Sequence, residues 1–229
     1  MGQHIALESG GRRLSGRLFE PSDTGGVKRG ILFVHGLNSS QSGYRSRAEA
    51  ASAQLDAVCL TFDLGGHRDS DGDLAQLSPR DHLSDVIAGF DFLAAEDSVD
   101  SSRIGLCAAS YGAYLAGLLV SRRPARRLLL RAPALYDDAD FRAPLGRDRT
   151  STSKPQAAAI FKGLARLGSD VLILESENDE VIPHAVIEAY LTACPQAQHE
   201  VILGAQHGLT DPKWQETFIE TILTWFNDL

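Results

Sequence analysis

Short apolar runs alternate with amphipathic segments along most of the chain. A run of about four to eight apolar or alternating residues between turn residues predicts a strand, and apolar residues at every third or fourth position predict a helix. On this basis strands are predicted at residues 4–8, 12–19, 31–34, 57–62, 103–107, 127–130, 171–174 and 200–203. Helices are predicted at residues 44–55, 79–96, 111–121, 156–167, 183–191 and 214–226.

The order of these elements predicts an α/β fold. The first two strands flank Ser9-Gly10-Gly11, a turn sequence typical of a hairpin. The later strands alternate with helices, which favours a mostly parallel sheet covered by helices on both faces. Residues 31–34 are wholly apolar, as expected of a central strand buried on both faces. Because the sequence has no internal repeat, residues 1–229 are predicted to form a single α/β domain.

Two longer stretches carry no periodic apolar pattern. Residues 63–77 are rich in glycine and aspartate and are predicted to form a loop. Residues 132–155 are charged and are predicted to form a short lid-like or connecting loop, either a solvated segment or a binding loop. Within this stretch Arg142, Arg147 and Arg149 could receive an acidic acyl group, although the neighbouring aspartates could equally neutralise them.

Composition narrows the class of protein. Of the 229 residues 43% are hydrophobic and 23% are charged, which is typical of a folded globular domain. The charge balance of 22 − 30 = −8 argues against nucleic acid or an anionic membrane as a partner. The 3 cysteines match neither a disulfide framework nor a zinc pattern, and the chain has no apolar run of membrane-spanning length and no apolar core of a signal peptide near its start. The sequence therefore predicts a cytoplasmic protein that needs no metal or cofactor, and it leaves the oligomeric state open.

A candidate nucleophile lies at a junction between a predicted strand and a predicted helix. In Ala108-Ala109-Ser110-Tyr111-Gly112 small residues stand two positions before and two after Ser110, which fits the tight turn of a G-x-S-x-G motif. Ala108 replaces the first glycine of that motif but keeps the side chain small. The helix that begins after Ser110 places a partial positive charge near any developing anion. The rival nucleophile, Cys107, belongs to the strand and is predicted to be an inert core residue.

A serine nucleophile needs a base and an anion behind the base. His207 follows the last predicted strand, between Gly204 and Gly208, and is the predicted base. The predicted acid is Asp179, in the loop after residues 171–174. That loop also holds the alternatives Glu177 and Glu180, and a weaker pair, Asp137 and Asp138, follows the preceding strand.

An oxyanion hole needs two backbone N–H groups directed to the point where negative charge develops. The predicted donors are the amide of Tyr111, next to the nucleophile, and the amide of Leu37, in the loop after residues 31–34. Gly36 allows the backbone to turn there. His35 is interpreted as a hydrogen-bonded organiser of this loop.

Together these residues resemble the α/β-hydrolase family, and the resemblance covers nearly the whole chain. It rests on the opening hairpin, on His35-Gly36, on the Asp63-Leu64-Gly65-Gly66-His67-Arg68 stretch, and on Ser110, Asp179 and His207 in that order. The resemblance is to serine esterases and acyl hydrolases, including dienelactone-hydrolase-like and aminopeptidase-like members. It implies an eight-stranded sheet that crosses over in its second-to-third region, with the site at the carboxyl ends of the strands. It also implies that the stretch from Asp63 supports the site without reacting.

The predicted function is that of a serine hydrolase of the carboxylesterase type, EC 3.1.1. It would cleave small to medium carboxylic esters through the triad Ser110, His207 and Asp179 and an acyl-enzyme intermediate. A serine nucleophile disfavours the usual dienelactone hydrolases, which carry cysteine there, and the epoxide hydrolases and dehalogenases, which carry aspartate. The open alternatives are a thioesterase, a peptidase, or a non-catalytic small-molecule binding protein on the same scaffold.

Overall fold

The computed structural model describes residues 2–23, 25–146 and 158–229. The strands of these residues are β1 (Gln3–Ser9), β2 (Arg12–Phe19), β3 (Lys28–Val34), β4 (Ala57–Phe62), β5 (Val99–Ala109), β6 (Arg127–Arg131), β7 (Val171–Ser176) and β8 (Gln198–Ile202). The α-helices are α1 (Arg45–Leu55), α2 (Pro79–Ala94), α3 (Tyr111–Leu119), α4 (Ala158–Leu167), α5 (His184–Ala193) and α6 (Pro212–Phe226).

The strands form one eight-stranded sheet in the order β1-β2-β4-β3-β5-β6-β7-β8. The β1–β2 and β2–β4 pairs are antiparallel, and the pairs from β3–β4 to β7–β8 are parallel. After β2 the chain therefore leaves one position of the sheet empty, forms β3, and returns to place β4 between β2 and β3. This arrangement confirms the predicted single-domain α/β fold, including the crossover and the mostly parallel sheet.

Two apolar cores cover the two faces of the sheet. Successive residues of β3 alternate between them, because neighbouring side chains of a strand point to opposite faces: Leu32 and Val34 belong to one core, Ile31 and Phe33 to the other. The first core packs the sheet against α2, α3, α4 and α5, and the second packs it against α1 and α6. Burial on both faces explains why the central strands are continuous apolar runs.

Several strands extend beyond their predicted limits. β3 begins at Lys28 and β5 begins at Val99, whereas the apolar pattern marked residues 31–34 and 103–107. Backbone pairing carries these strands past their apolar centres, as in the hydrogen bond of 2.7 Å from the Lys28 N–H to the Ser98 carbonyl. Hydrophobicity alone does not report such pairing.

The stretch at residues 132–155 contains a short helical segment, and its role as a lid-like or connecting loop stays a prediction. A 3-10 helix forms at Asp138–Arg142, where acidic side chains at the start and Arg142 at the end suit the helix dipole. Arg147, Arg149 and the start of the helix predicted at residues 156–167 lie outside the described residues. Residues 63–77 form a loop, as predicted.

In the described parts of the chain, no helix has both the length and the apolar composition that a membrane span requires.

Helix α3 approaches strand β3 so closely that a glycine is needed between them. A Cβ atom on Gly112 would lie 2.4 Å from the carbonyl oxygen of His35 and 2.6 Å from that of Val34. Backbone atoms of a central strand cannot move aside cheaply, since the sheet on both sides holds them. Gly112 thus sets how near α3, and Ser110 at its start, lies to β3.

We predict that Gly112→Ala lowers the free energy of unfolding by about 3 kcal/mol, because the new methyl group forces α3 away from β3. Urea denaturation monitored by circular dichroism measures this loss. Gly43→Ala is the matched control: a Cβ there meets nothing within 4 Å, so its midpoint should stay close to that of the wild type. Equal midpoints for both variants would contradict the close-approach argument.

Candidate active site

Ser110 occupies a sharp turn between β5 and α3. Its φ of +53° and ψ of −122° lie in a region that residues with side chains rarely adopt. Four backbone hydrogen bonds hold the turn. The Ser110 N–H donates to the Arg131 carbonyl at 2.9 Å, and the Ser110 carbonyl accepts the N–H groups of Ala113 at 3.0 Å, Ala134 at 3.1 Å and Tyr114 at 3.2 Å. The strained conformation is therefore fixed from both the helix side and the sheet side, which matches the predicted nucleophile turn.

The space in front of Ser110 is kept open by a second glycine. A Cβ atom on Gly36 would lie 3.3 Å from the Cβ atom of Ser110. Gly36 follows β3 and Ser110 follows β5, and these strands are parallel neighbours, so both residues lie at the carboxyl edge of the sheet.

His207 and Asp179 meet at the same edge, in the loops after β8 and β7. His207 Nδ1 lies 2.8 Å from Asp179 Oδ2 and 3.0 Å from Oδ1. The Asp179 carboxylate also accepts the N–H groups of Val181 at 2.9 Å and Ile182 at 2.7 Å. Burial opposes ionisation of this carboxyl group, but the hydrogen bonds from His207 and the two amides outweigh it and hold the pKa of Asp179 below its usual range. An ionised Asp179 fixes the imidazole with its proton on Nδ1.

The alternative acids have other partners. Glu177 accepts the Gly204 N–H at 2.6 Å, and Glu180 accepts the backbone N–H of His207 at 3.3 Å. Both carboxylates thus brace the His207 loop through its backbone. Asp137 and Asp138 lie at the start of the 3-10 helix described above. Of these candidates the fold brings the Asp179 carboxylate to the imidazole.

One cavity joins the candidate nucleophile to the candidate base. It has a volume of about 260 Å³, and both Ser110 and His207 line it. Leu37, the predicted oxyanion donor of the β3 loop, lies in the same wall, and Tyr111 begins α3 directly after Ser110. The other lining residues come from the α1 side, from the end of β6, from the loop before α6 and from α6 itself: Tyr44, Arg47, Arg131, Leu209 and Phe218 among them.

Arg131 links the two sides of this site and was not singled out in the sequence. Its carbonyl accepts the Ser110 N–H, and its guanidinium donates from Nη1 to the His207 carbonyl at 2.7 Å, with a second bond from Nη2. An arginine at the end of the apolar run Leu128–Leu130 is a detectable signal, because a charge that closes a buried strand requires a partner. Arg131 is only 4% exposed.

Three buried histidines support the loop that carries Leu37. His35 Nδ1–H donates to the Gly36 carbonyl at 2.7 Å, and its Nε2 accepts the Leu64 N–H at 3.0 Å. His67 Nε2 accepts the Asn38 N–H at 3.2 Å, and Asn38 has a left-handed φ of +59°. His35 is therefore an organiser of this loop, as interpreted from the sequence, and His67 is a second one.

The third histidine connects the same network to α3. His82 Nε2–H donates to the Gly65 carbonyl at 2.9 Å, so its Nδ1 accepts the Tyr111 hydroxyl at 3.0 Å. Gly65 N–H donates to Asp85, which pairs with Arg12 at 2.8 Å. The loop after β4 thus ties β2, α2 and the start of α3 together. This supporting role is what the family resemblance implied for the stretch from Asp63.

His35 and His67 each accept a backbone N–H and so are neutral. Burial lowers the pKa of His35 from 6.5 to about 3 and also lowers the pKa of His67 and His82. A proton added to His35 Nε2 would face the Leu64 N–H, and the hydrogen bond between these two groups would be lost because both would be donors.

Cys107 is a core residue. It is fully buried, and burial raises the pKa of its thiol, which removes the thiolate that a cysteine nucleophile needs. The structure therefore supports the interpretation of Cys107 made from the sequence.

Among residues 2–23, 25–146 and 158–229, no group of three or more histidine, cysteine, aspartate or glutamate side chains is placed to hold a metal ion.

We predict that the protein loses stability as the pH falls from about 6.5 towards about 3. In that range the unfolded chain binds protons on histidines that the fold keeps neutral, so protonation favours unfolding. Urea denaturation at a series of pH values measures the effect. His35→Gln can still accept the Leu64 N–H but cannot titrate, so its stability should depend less on pH; a slope equal to that of the wild type would refute the assignment.

Comparison with known proteins agrees with this architecture. Two uncharacterized proteins from two strains of Mycobacterium tuberculosis are each 26% identical over 216 residues, which is 93% of this chain and 74% of theirs. Est1E from Butyrivibrio proteoclasticus, solved with ferulic acid, has a TM-score of 0.77 at 17% identity and covers 98% of both chains. The α/β hydrolase GrgF from Penicillium sp. sh18 has a TM-score of 0.76 at 14% identity, over 100% of this chain and 98% of its own.

The family model described as serine aminopeptidase, S33, matches residues 25–158, which is more than half of the chain. The matched segment contains His35-Gly36 and Ser110 but ends before Asp179 and His207. The selection of Asp179 and His207 as candidate residues therefore depends on the geometry described above. By its fold and by this match, the chain belongs to the serine aminopeptidase S33 family of α/β hydrolases.

Proposed function

We propose that this hydrolase cleaves small to medium carboxylic esters with Ser110 as nucleophile, His207 as base and Asp179 as the acid behind it. The observation that carries the proposal is the pairing of His207 Nδ1 with an ionised Asp179 at the wall of the cavity that Ser110 also lines. A neutral imidazole whose Nδ1 is bonded to a carboxylate has its Nε2 available as a general base.

The proposed reaction proceeds in two acyl transfers. Ser110 Oγ attacks the ester carbonyl carbon while His207 Nε2 removes its proton, and Asp179 stabilises the imidazolium. The N–H groups of Leu37 and Tyr111 stabilise the oxyanion of the tetrahedral intermediate. Collapse breaks the bond to the alcohol oxygen, which takes the proton from His207. Water then attacks the acyl-enzyme with the same proton transfers and releases the acid.

The electrostatics of the cavity favour an ester over a peptide with a free amino terminus. An aminopeptidase must hold the ammonium group of its substrate, and a carboxylate is the usual partner for such a cation. Within the described part of the chain the cavity is lined by Arg47 and Arg131 and by no acidic side chain. These two positive charges would repel an ammonium group. An ester or thioester therefore fits this cavity better than an aminopeptidase substrate.

A cytoplasmic location is part of the proposal. Cys59, Cys107 and Cys194 are all buried free cysteines, which suits a reducing compartment.

We predict that Ser110→Ala lowers the hydrolysis of 4-nitrophenyl acetate and butyrate by at least about 10³-fold, because the nucleophile is lost. Absorbance of released nitrophenol measures the rate. A fluorophosphonate probe should label the wild type and Ser39→Ala, which removes the other serine of the cavity, but not Ser110→Ala. Equal rates in wild type and Ser110→Ala would favour the non-catalytic binding protein.

We predict that Asp179→Asn lowers kcat by roughly 10⁴-fold, since an amide in place of the carboxylate favours the wrong imidazole tautomer. Glu180→Gln is the matched control in the same loop: the Glu180 carboxylate accepts the backbone N–H of His207 and not the imidazole, so the effect of this change on kcat should be far smaller. Steady-state kinetics on 4-nitrophenyl butyrate compare the two. A larger loss in Glu180→Gln would move the acid to that position.

A further inference from the structure

One wall of the active-site cavity is formed by three polar side chains that pair with no acidic side chain among the described residues. We name Tyr44, Arg47 and Arg131 the arginine wall. All three line the cavity together with Ser110. Each also contains a buried polar atom without a hydrogen-bond partner among the described residues: Tyr44 Oη, Arg47 Nε and Arg131 Nε.

Arg131 is the most deeply buried member of the wall. Its two terminal nitrogens donate to the backbone carbonyl of His207, which is an uncharged acceptor. Asp179 is the acid that acts on it electrostatically, but that carboxylate is bonded to His207, Val181 and Ile182. Burial lowers the pKa of Arg131, since its positive charge is held away from water and forms no ion pair with a described carboxylate.

Arg47 is held in place by aromatic rings. Its guanidinium lies 5.0 Å from the ring centre of Phe218 and 5.9 Å from that of Tyr44, and Nη1 donates to the Gly43 carbonyl. This half-buried side chain forms no ion pair with a described carboxylate. Its position is therefore fixed before any substrate binds.

Other arginines of the chain show that this lack of acidic partners is not general. Arg12, Arg123 and Arg126 each pair with an aspartate. The cations of the arginine wall also lie in a chain whose net charge is −8, so acidic residues are plentiful elsewhere. Arg29 and Arg122 also donate to backbone carbonyls, but the arginines of the wall differ from them because they line the cavity of Ser110.

Tyr44 adds a neutral donor to the two cations. It is 6% exposed, and burial raises the pKa of its hydroxyl. The group thus stays protonated, and its O–H has no acceptor among the described residues.

We propose that the arginine wall binds a carboxylate of the substrate, so that the enzyme prefers acyl compounds that carry a free carboxylate in addition to the bond that is cleaved. This inference rests on the proposed function and names its substrate class. A carboxylate offers two acceptor oxygens to guanidinium and hydroxyl donors and neutralises charges that burial has left unpaired. A neutral substrate of the same size leaves those charges unpaired.

The test compares matched substrates that differ only in charge. Monoethyl succinate, glutarate and adipate carry the carboxylate on the acyl side, and 4-acetoxybutyrate carries it on the alcohol side. Each is measured against the analogue whose free carboxylate is a carboxamide, with product acid determined by chromatography. The expected result is a kcat/KM at least about tenfold higher for the carboxylate in one of the two series, and the preferred series identifies the side of the bond that faces the wall.

The variants test whether the wall causes the preference. Arg47→Met should reduce the carboxylate-to-amide ratio to about one, and Tyr44→Phe, which keeps the ring, should reduce it by a smaller factor. Arg45→Met is the matched control, because Arg45 is an exposed arginine on the same helix; it removes the same charge and should keep the wild-type ratio. A ratio that falls equally in Arg45→Met and Arg47→Met would overturn the proposal.

Failure of this inference and failure of the proposed function give different results. Ser110-dependent hydrolysis of neutral esters with a wild-type ratio near one would overturn the carboxylate site and leave the esterase proposal intact. If no ester is hydrolysed in a Ser110-dependent way, calorimetric titration with adipate tests whether the arginine wall binds a carboxylate. Adipate binding that Arg47→Met abolishes and Arg45→Met retains would support the site, and absence of binding to the wild type would overturn it.

Discussion

The strained turn at Ser110 depends on how closely helix α3 packs against strand β3. A non-glycine residue with φ of +53° is unfavourable, so the surroundings must hold it. The neighbouring strand does this through the Arg131 carbonyl, which accepts the Ser110 N–H, and Gly112 allows α3 to contact the backbone of β3. Without that contact the serine would relax into an ordinary helix start and would no longer be presented at the edge of the sheet.

The two faces of the sheet make different contributions to the site. On the face covered by α2 and α3, His35, His67 and His82 form a buried neutral network that fixes the loop of Leu37. On the face covered by α1 and α6, Tyr44 and Phe218 line the cavity. One side of the sheet therefore provides rigidity and the other provides the space in which a substrate fits. Ser110, Asp179 and His207 lie at the carboxyl edge, where both faces meet.

Charge distribution distinguishes this cavity from the protein around it. The chain is acidic overall, yet the polar wall beside Ser110 is cationic. Arg131 has two roles in this arrangement: it holds the His207 carbonyl and it adds positive charge to the cavity. A residue that positions the base and also contacts the substrate would couple recognition to the chemistry at His207. This coupling is a physical reason to expect that a small and otherwise open site distinguishes substrates by their charge.

The sequence by itself determined the α/β architecture, the turn at Ser110 and the position of His207 after the last strand. These features depend on local patterns, such as apolar periodicity and small residues around a serine, which one stretch of chain contains in full. Only the tertiary structure decided that Asp179, and not Glu177 or Glu180, meets the imidazole. It also decided that the guanidinium of Arg131 reaches His207 and that Arg47 stacks on Phe218. Such contacts join residues far apart in the chain, and their geometry depends on how helices and loops pack, which no local pattern records.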